Sequence, residues 1–420
     1  MKILIVNTHS ILNAGDAAIV LTQFQLLKNY FPELSVSITS RTPQLDNKIY
    51  KSLGIKVFPP IFPAPSVYSS LTQKFRQTII NLIDLQSKYA LIKEMKECDL
   101  VIASGGGYFW THRRFFPGPM FVQNYCHIEL ASQLHKPIVF FPQSFGPLRN
   151  KMASRVLLRL LESDYTVGIY AREKISLDFL STLMRTNKSR VFYCPDLAFA
   201  LDLGSSSEDS PSDLDLPKPV IALSLRQWDF PEAKNPREQK IKQDNYLKAF
   251  QKLSENIFQV LKGSILIFCQ SRGPGSFEDD RILSIKLFEN LKRTIPESHL
   301  RYSELQDTSH PLSIVQILKK ADLLVATRFH SAIFALNANI PVISISYQPK
   351  SRGIMETLGL GHFCLDIAEF NGEGIFSLAK EIIEHSSKVR EDIQNKISQI
   401  RLEIKTQLEK SLQAFLKNKT

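Results

Sequence analysis

Arg328, His330 and Lys350 fall in one stretch, Ala326-Thr-Arg-Phe-His-Ser-Ala-Ile-Phe-Ala-Leu-Asn-Ala-Asn-Ile-Pro-Val-Ile-Ser-Ile-Ser-Tyr-Gln-Pro-Lys350. Their types suit the gripping of a small, multiply charged anion. A guanidinium fork matches a planar carboxylate or a phosphate, and an ammonium group supplies a point charge. A nearby imidazole can carry a proton near neutral pH. The elements that would position them form a βαβ unit: a buried strand over 322–327, a short helix over 331–339 and a second buried strand over 341–346. Both strands end on one edge of a parallel sheet, where ligands of open α/β sheets bind. The helix N-terminus between them adds to the pull on an anion.

The same alternation runs through the chain. A strand over 2–7 leads into Asn13-Ala-Gly15-Asp16 and a helix over 17–30, where Asn13 and Asp16 can cap the helix or bind hydroxyls. Gly15 allows close backbone approach. A strand over 35–39, the Pro-rich segment 59–65 and a helical stretch over 68–97 come next. A strand over 99–103 runs into Ser104-Gly-Gly106-Gly107, which lacks both the P-loop Gly-Lys-Ser/Thr and the Rossmann glycine spacing. The adjoining loop 108–118 mixes Trp110 and other aromatics with Arg113 and Arg114, suited to a sugar ring and a diphosphate, to a membrane surface, or to plain packing. Strands over 137–141, 166–170 and 191–199 end near Gln143, Arg172 and Asp196. Arg172 with Glu173 also reads as an ordinary ion pair.

A Ser-, Asp- and Pro-rich stretch over 204–219 is the expected linker. Beyond it lie a strand over 220–225 ending in Arg226, a helix over 245–262, a strand over 265–270 ending in Ser271-Arg272 and a helix over 277–293. Strands alternating with helices mean parallel sheets. The expected fold is therefore α/β, with two doubly wound Rossmann-like domains facing a cleft. The boundaries are 1–203, the linker 204–219, 220–375, and a helical segment 376–420. In that last segment Ile393, Ile397, Ile400, Ile404, Leu408, Leu412 and Phe415 make an amphipathic stripe, expected to pack on the protein or a partner subunit.

Composition narrows the field. At 420 residues the chain suits two domains, and 44% hydrophobic with 22% charged residues is a globular balance. No apolar run reaches the roughly eighteen residues of a membrane span, and the N-terminus reads as a strand and not a signal peptide. Five scattered cysteines with no metal-ligand spacing suggest reduced thiols and a cytoplasmic protein. A net charge of +11 points to anionic partners. Nucleic acid is set aside for want of any recognition motif.

Ala326-Thr-Arg-Phe-His-Ser-Ala-Ile333 followed by Lys350, together with Asn13-Ala-Gly-Asp-Ala-Ala-Ile19, Ser104–Gly107, Pro142-Gln-Ser-Phe-Gly-Pro147, Tyr170–Glu173, Pro195-Asp196 and Ser224-Leu-Arg226, resembles the polysaccharide pyruvyl transferase family in order and spacing. Phe329 replaces the more usual Leu. The resemblance implies a GT-B-like arrangement, phosphoenolpyruvate as co-substrate and no other cofactor or metal. It implies a sugar of a polysaccharide or lipid-linked glycan as acceptor; a cytoplasmic protein could meet it peripherally at the inner face of the cell membrane.

On that footing Arg226, Arg272, Arg328 and Lys350 would bind the donor, and His330 would be the general acid. Arg172 matches an arginine implicated in activity. Asn13, Asp16, Gly106, Gln143, Trp110 and Arg113 would bind the acceptor, with Asp16 the candidate base. Peripheral contact with an anionic membrane and homo-oligomerisation stay open. So do a nucleotide-sugar glycosyltransferase, with Glu356 placed to meet a ribose, and a non-catalytic sugar-binding protein of a polysaccharide assembly complex.

Overall fold

The computed structural model describes residues 1–62, 85–111, 114–203, 215–303, 311–347, 349–357 and 359–417. Most of the expected linker, the start of the helix expected over 68–97, and Arg113 lie outside them. By its contacts the chain divides into two units: Met1–Ile11 with Asp16–Ala200 and Ile400–Thr420, and Leu12–Gly15 with Leu201–Gln399. Against the sequence boundaries, residues 12–15 and 201–203 go with the second unit, and the segment 376–420 is split after Gln399 between the second unit and the first.

The first unit holds β1 (Lys2–Val6), β2 (Ser35–Thr39), β3 (Lys56–Phe58), β4 (Leu100–Ala103), β5 (Phe109–Thr111), β6 (Ile138–Gln143), β7 (Phe145–Leu148), β8 (Thr166–Ala171) and β9 (Val191–Tyr193). Seven of these form a parallel sheet in the order β3-β2-β1-β4-β6-β8-β9, and β5 pairs with β7 apart from it. The central strands are apolar on both faces because helices cover both sides, so Ile3–Val6 and Leu100–Ala103 are all buried.

The second unit repeats the plan with β10 (Val220–Ser224), β11 (Ser264–Phe268), β12 (Leu300–Ser303), β13 (Leu323–Ala326), β14 (Val342–Ser346) and β15 (Cys364–Asp366). Their order is β12-β11-β10-β13-β14-β15, all parallel. Each unit is thus a doubly wound α/β domain, as the alternation predicts.

Several elements differ from expectation. The sequence pattern predicts neither the short strands β3, β5, β7, β12 and β15 nor the helices Pro43–Tyr50, Pro119–Gln133, Pro311–Leu318 and Pro349–Thr357. The C-terminal helix is two helices, Gly372–Glu384 and Ser386–Lys417, joined at His385. Its apolar stripe is buried in this chain: Ile393 and Ile397 in the second unit, and Ile404, Leu408, Leu412 and Phe415 in the first. Arg401 Nε donates to the Phe199 carbonyl at 3.0 Å in the first unit, and Arg390 Nη1 to the Asn339 carbonyl at 2.6 Å in the second. All five cysteines are unpaired. Among the described residues no helix is long and apolar enough to cross a membrane.

Candidate active site

In the second unit three strand ends supply the site. Leu225-Arg226 follows β10, Thr327-Arg328 follows β13 and Tyr347 follows β14. The ends are fastened together: Ser224 Oγ lies 2.8 Å from Ser331 Oγ, and Thr327 Oγ1 lies 2.6 Å from Tyr246 Oη. Tyr246 Oη also accepts from the Arg226 N–H at 3.3 Å. The backbone carrying Arg226 and Arg328 is therefore held by polar contacts as well as by the sheet.

The two arginines differ in what occupies them. Arg328, at the N-terminus of the helix Phe329–Asn337, donates Nε to both Asp280 oxygens at 3.0 Å and Nη2 to Asp280 Oδ1 at 2.7 Å. Nη2 also reaches the Glu278 carbonyl at 2.9 Å. Asp280 is fully buried and takes a further bond from the Ser271 N–H at 3.0 Å. Burial pushes the Asp280 carboxyl above the usual range and Arg328 pulls it back. Arg328 is thus largely committed to a carboxylate, which its sequence position did not reveal.

Arg226 carries its charge without an acid. Its Nη1 donates to Tyr347 Oη, and its guanidinium carbon lies 4.4 Å from the Tyr347 ring centroid and 5.6 Å from that of Trp228. The two rings stand 4.6 Å apart. Among the described residues no carboxylate forms an ion pair with Arg226, and its Nε is buried without a hydrogen-bond partner. Burial and the neighbouring Arg328 charge depress its pKa. A desolvated guanidinium beside a second cation is stabilised by any anion that reaches it.

His330 is placed by an unexpected neighbour. A Cβ built on Gly15 would come 2.1 Å from His330 Nδ1 and 2.2 Å from its Cγ, so the imidazole occupies the space a side chain at 15 would need. The segment carrying Gly15 is anchored to the same unit. Asn13 Oδ1 accepts from Gln270 Nε2 at 2.7 Å and from the Gly15 N–H at 3.1 Å, and the Ala14 N–H donates to the Gln270 carbonyl at 3.1 Å. Asn13, expected on the acceptor domain, therefore brackets the second unit and helps set His330.

Of the other expected donor groups, Arg272 bonds through its backbone N–H to the Leu12 carbonyl at 2.8 Å, and its backbone pairs with that of Asp279 as an isolated antiparallel β-bridge. Lys350 lies in the helix Pro349–Thr357 and not in a loop, and its side chain is outside the described residues.

The first unit gathers a separate polar group. Tyr108 Oη donates to Asp16 Oδ1 at 2.9 Å, and His9 Nδ1 faces Asp16 Oδ2 at 3.9 Å. Arg41 Nη1 lies 2.7 Å from His9 Nε2. Since the guanidinium can only donate, Nε2 accepts and the ring proton sits on Nδ1, facing Asp16. Asp16 is thus a nearly buried carboxylate held by a phenol and an imidazole.

The expected acceptor groups Gly106 and Gln143, and Arg172, expected to be catalytic, are engaged internally. The Gly106 carbonyl accepts from the Ser144 N–H at 2.8 Å, and its α-carbon lies under the Tyr108 ring. Gln143 is fully buried, donating to the Phe141 carbonyl at 3.2 Å. Arg172 is buried between Asp196, at 2.6 Å, and Glu173, at 3.4 Å, with Nε on Ser144 Oγ at 2.9 Å. It ties the loops after β6 and β8 to Asp196. Trp110 sits partly exposed in β5.

The family model for polysaccharide pyruvyl transferase matches residues 13–349, from Asn13 of the Gly15 bracket past Arg226, Arg328 and His330. The chain belongs to that family. The amylovoran biosynthesis protein AmsJ of Erwinia amylovora is 23% identical over 426 residues, covering 96% of this chain and 97% of AmsJ. Family and relative together make this a glycan-modifying transferase.

Solved structures share the fold. Anabaena Alr3699/HepE in complex with UDP matches with a TM-score of 0.57 at 12% identity, covering 99% of this chain and 100% of the other. UDP-GlcNAc 2-epimerase from Neisseria meningitidis, bound to UDP-GlcNAc, matches with a TM-score of 0.59 at 14% identity, covering 98% and 100%. At such identities the likeness is one of fold, that of GT-B-like transferases and epimerases.

Proposed function

We propose that this pyruvyl transferase family member transfers the pyruvyl group of phosphoenolpyruvate to two hydroxyls of a sugar in a polysaccharide or lipid-linked glycan, forming a cyclic ketal. The observation that carries the reading is Arg226: a guanidinium bracketed by Tyr347 and Trp228, with no carboxylate paired to it among the described residues and Arg328 beside it. Such a group is suited to the carboxylate or phosphate of a small trianion.

In the proposed reaction the His330 imidazolium gives a proton to the donor's methylene carbon, leaving an oxocarbenium-like centre at the adjacent carbon. One sugar hydroxyl bonds to that centre and loses its proton. Inorganic phosphate then departs with its bridging oxygen, and the second hydroxyl closes the ring and loses its own proton. One of the two released protons restores His330 and the other leaves with phosphate. Asp16, oriented by Tyr108 and His9, is the proposed base for the hydroxyls, and Trp110 the proposed sugar platform. The donor is assigned to the second unit and the acceptor to the first. Charge on the donor is met by guanidinium groups, so the chemistry calls for no metal.

The test is phosphate release from phosphoenolpyruvate by the purified protein, with and without an acceptor glycan. Release that depends on acceptor and leaves an acid-labile pyruvyl group on the glycan supports the reading. A second reading, nucleotide-sugar transfer, is favoured by the UDP complex of Alr3699/HepE and by Glu356, which is exposed on the helix Pro349–Thr357. Glycosyl transfer from a UDP-sugar with no phosphate released from phosphoenolpyruvate would establish it instead.

A further inference from the structure

On the first unit a short loop leaves two aromatic rings in water. Phe115 is 99% exposed and Phe116 57%, and Met152 nearby is 67% exposed. Scattered apolar side chains on a surface are ordinary, but three large ones together mark a surface that something covers.

The loop is fastened in place. Asn150 Nδ2 donates to the Arg114 carbonyl at 2.8 Å, the Asn150 N–H to Thr111 Oγ1 at 3.0 Å and the Arg149 N–H to the Thr111 carbonyl at 3.4 Å. Asn150 Oδ1 also caps the helix Lys151–Leu161 through the Ala153 N–H at 2.8 Å. Phe115, Phe116 and Met152 each lie one or two residues from the Arg114–Asn150 bond, so they share one part of the surface.

The chain on either side of the tip is basic. Arg114, Arg149, Lys151 and Arg155 are exposed around the apolar tip. No Asp or Glu occurs over residues 100–128 or 130–161. A bare aromatic tip ringed by cations fits a surface that is apolar beneath and anionic on top. That is the interface of a bilayer carrying anionic lipid. A second copy of this chain fits less well, because a two-fold contact would set the same positive rim against itself.

We propose that this patch docks the protein on an anionic membrane, with Phe115, Phe116 and Met152 entering the headgroup region and the basic side chains meeting lipid phosphates. The inference is independent of the donor used, since it rests on residues outside the proposed donor and acceptor groups.

The experiment is co-sedimentation of the full chain with vesicles of phosphatidylcholine alone or mixed with phosphatidylglycerol. The wild type should pellet with the anionic vesicles and stay in solution with the neutral ones. The Phe115→Ser/Phe116→Ser variant should lose about tenfold or more of that partitioning. Its melting temperature should hold, because both rings are already exposed. Arg149→Gln/Lys151→Gln should weaken binding at low salt, and its gap to the wild type should close as salt rises and screens the charges. A wild type that ignores anionic vesicles, or a double-serine variant that binds like wild type, overturns the proposal. So does a dimer in light scattering that the same variant dissociates, which would assign the patch to a second copy.

Discussion

His330 and Gly15 share one volume: the imidazole lies where a residue-15 side chain would start, 2.1 Å from a Cβ placed there. The two sit far apart in sequence, one opening the helix Ala14–Tyr30 and the other in the helix Phe329–Asn337. A methyl group at 15 must push the imidazole aside. Gly15→Ala should therefore lower turnover by about 10- to 100-fold, the penalty of a misplaced catalytic group, with a smaller effect on donor KM. Steady-state kinetics of the variant decide this; a turnover within twofold of wild type would detach His330 from the chemistry.

Arg328 and Arg226 should respond differently to removal. Arg328→Ala strands the buried Asp280 carboxylate, and breaking such a pair costs about 3–5 kcal/mol of stability. Burial already raises the Asp280 pKa and Arg328 opposes the rise, so in the variant it climbs further. A folded-state pKa above the unfolded value favours the fold at low pH and loses that stability as pH rises through it. Denaturant unfolding should accordingly find the variant's deficit smaller near about pH 5 than about pH 8. Equal deficits at both would mean that Asp280 is not the stranded group.

The contrast between these arginines marks what the sequence makes legible. The doubly wound folds could be read because buried parallel strands such as Leu323–Ala326 are unbroken apolar runs. The polar residues at their ends could be read too, since strand ends are where such sheets bind. What each end residue touches could not. Asp280 lies 48 positions before Arg328, and Tyr347 lies 121 after Arg226, with no periodicity linking either pair. The short strands β5 and β7 escaped because three or four residues with a Gly-Pro carry too little pattern. Asn13 and Gly15 sit in the first unit by sequence order, and only long-range bonds to Gln270 assign them to the second.

Asp16 accepts from Tyr108 Oη and faces His9, so loss of the phenol should blunt a base without removing it. Tyr108→Phe is expected to lower acceptor turnover about tenfold, and Asp16→Asn by about 10²–10⁴-fold, the range of general base catalysis. Donor binding should be unchanged in both. Full turnover in Asp16→Asn would remove it from the mechanism.

His127 offers a pH signature in the first unit's core. It is fully buried, accepting from the Ile61 N–H at 3.0 Å and facing Asn7 Oδ1 at 2.9 Å, and burial brings its pKa down to about 4 from an ordinary 6.5. A depressed folded-state pKa means stability that is whole above the unfolded value and drains as pH falls toward the folded one. The loss by about pH 4 amounts to roughly 3 kcal/mol. His127→Gln should flatten the acid limb of a stability-pH curve. An unchanged limb would show that other groups govern it.

The donor is tested most directly by thermal melting of the wild type and of Arg226→Ala with phosphoenolpyruvate or a UDP-sugar. Among the described residues Arg226 has no acid partner to strand, so the variant should fold, yet lose a charge-assisted contact of about 1.5–3 kcal/mol to the anion. Phosphoenolpyruvate should raise the wild-type melting temperature, less so at high salt, and raise that of Arg226→Ala little or not at all. Stabilisation of the wild type by the UDP-sugar alone, with no response to phosphoenolpyruvate, would contradict this.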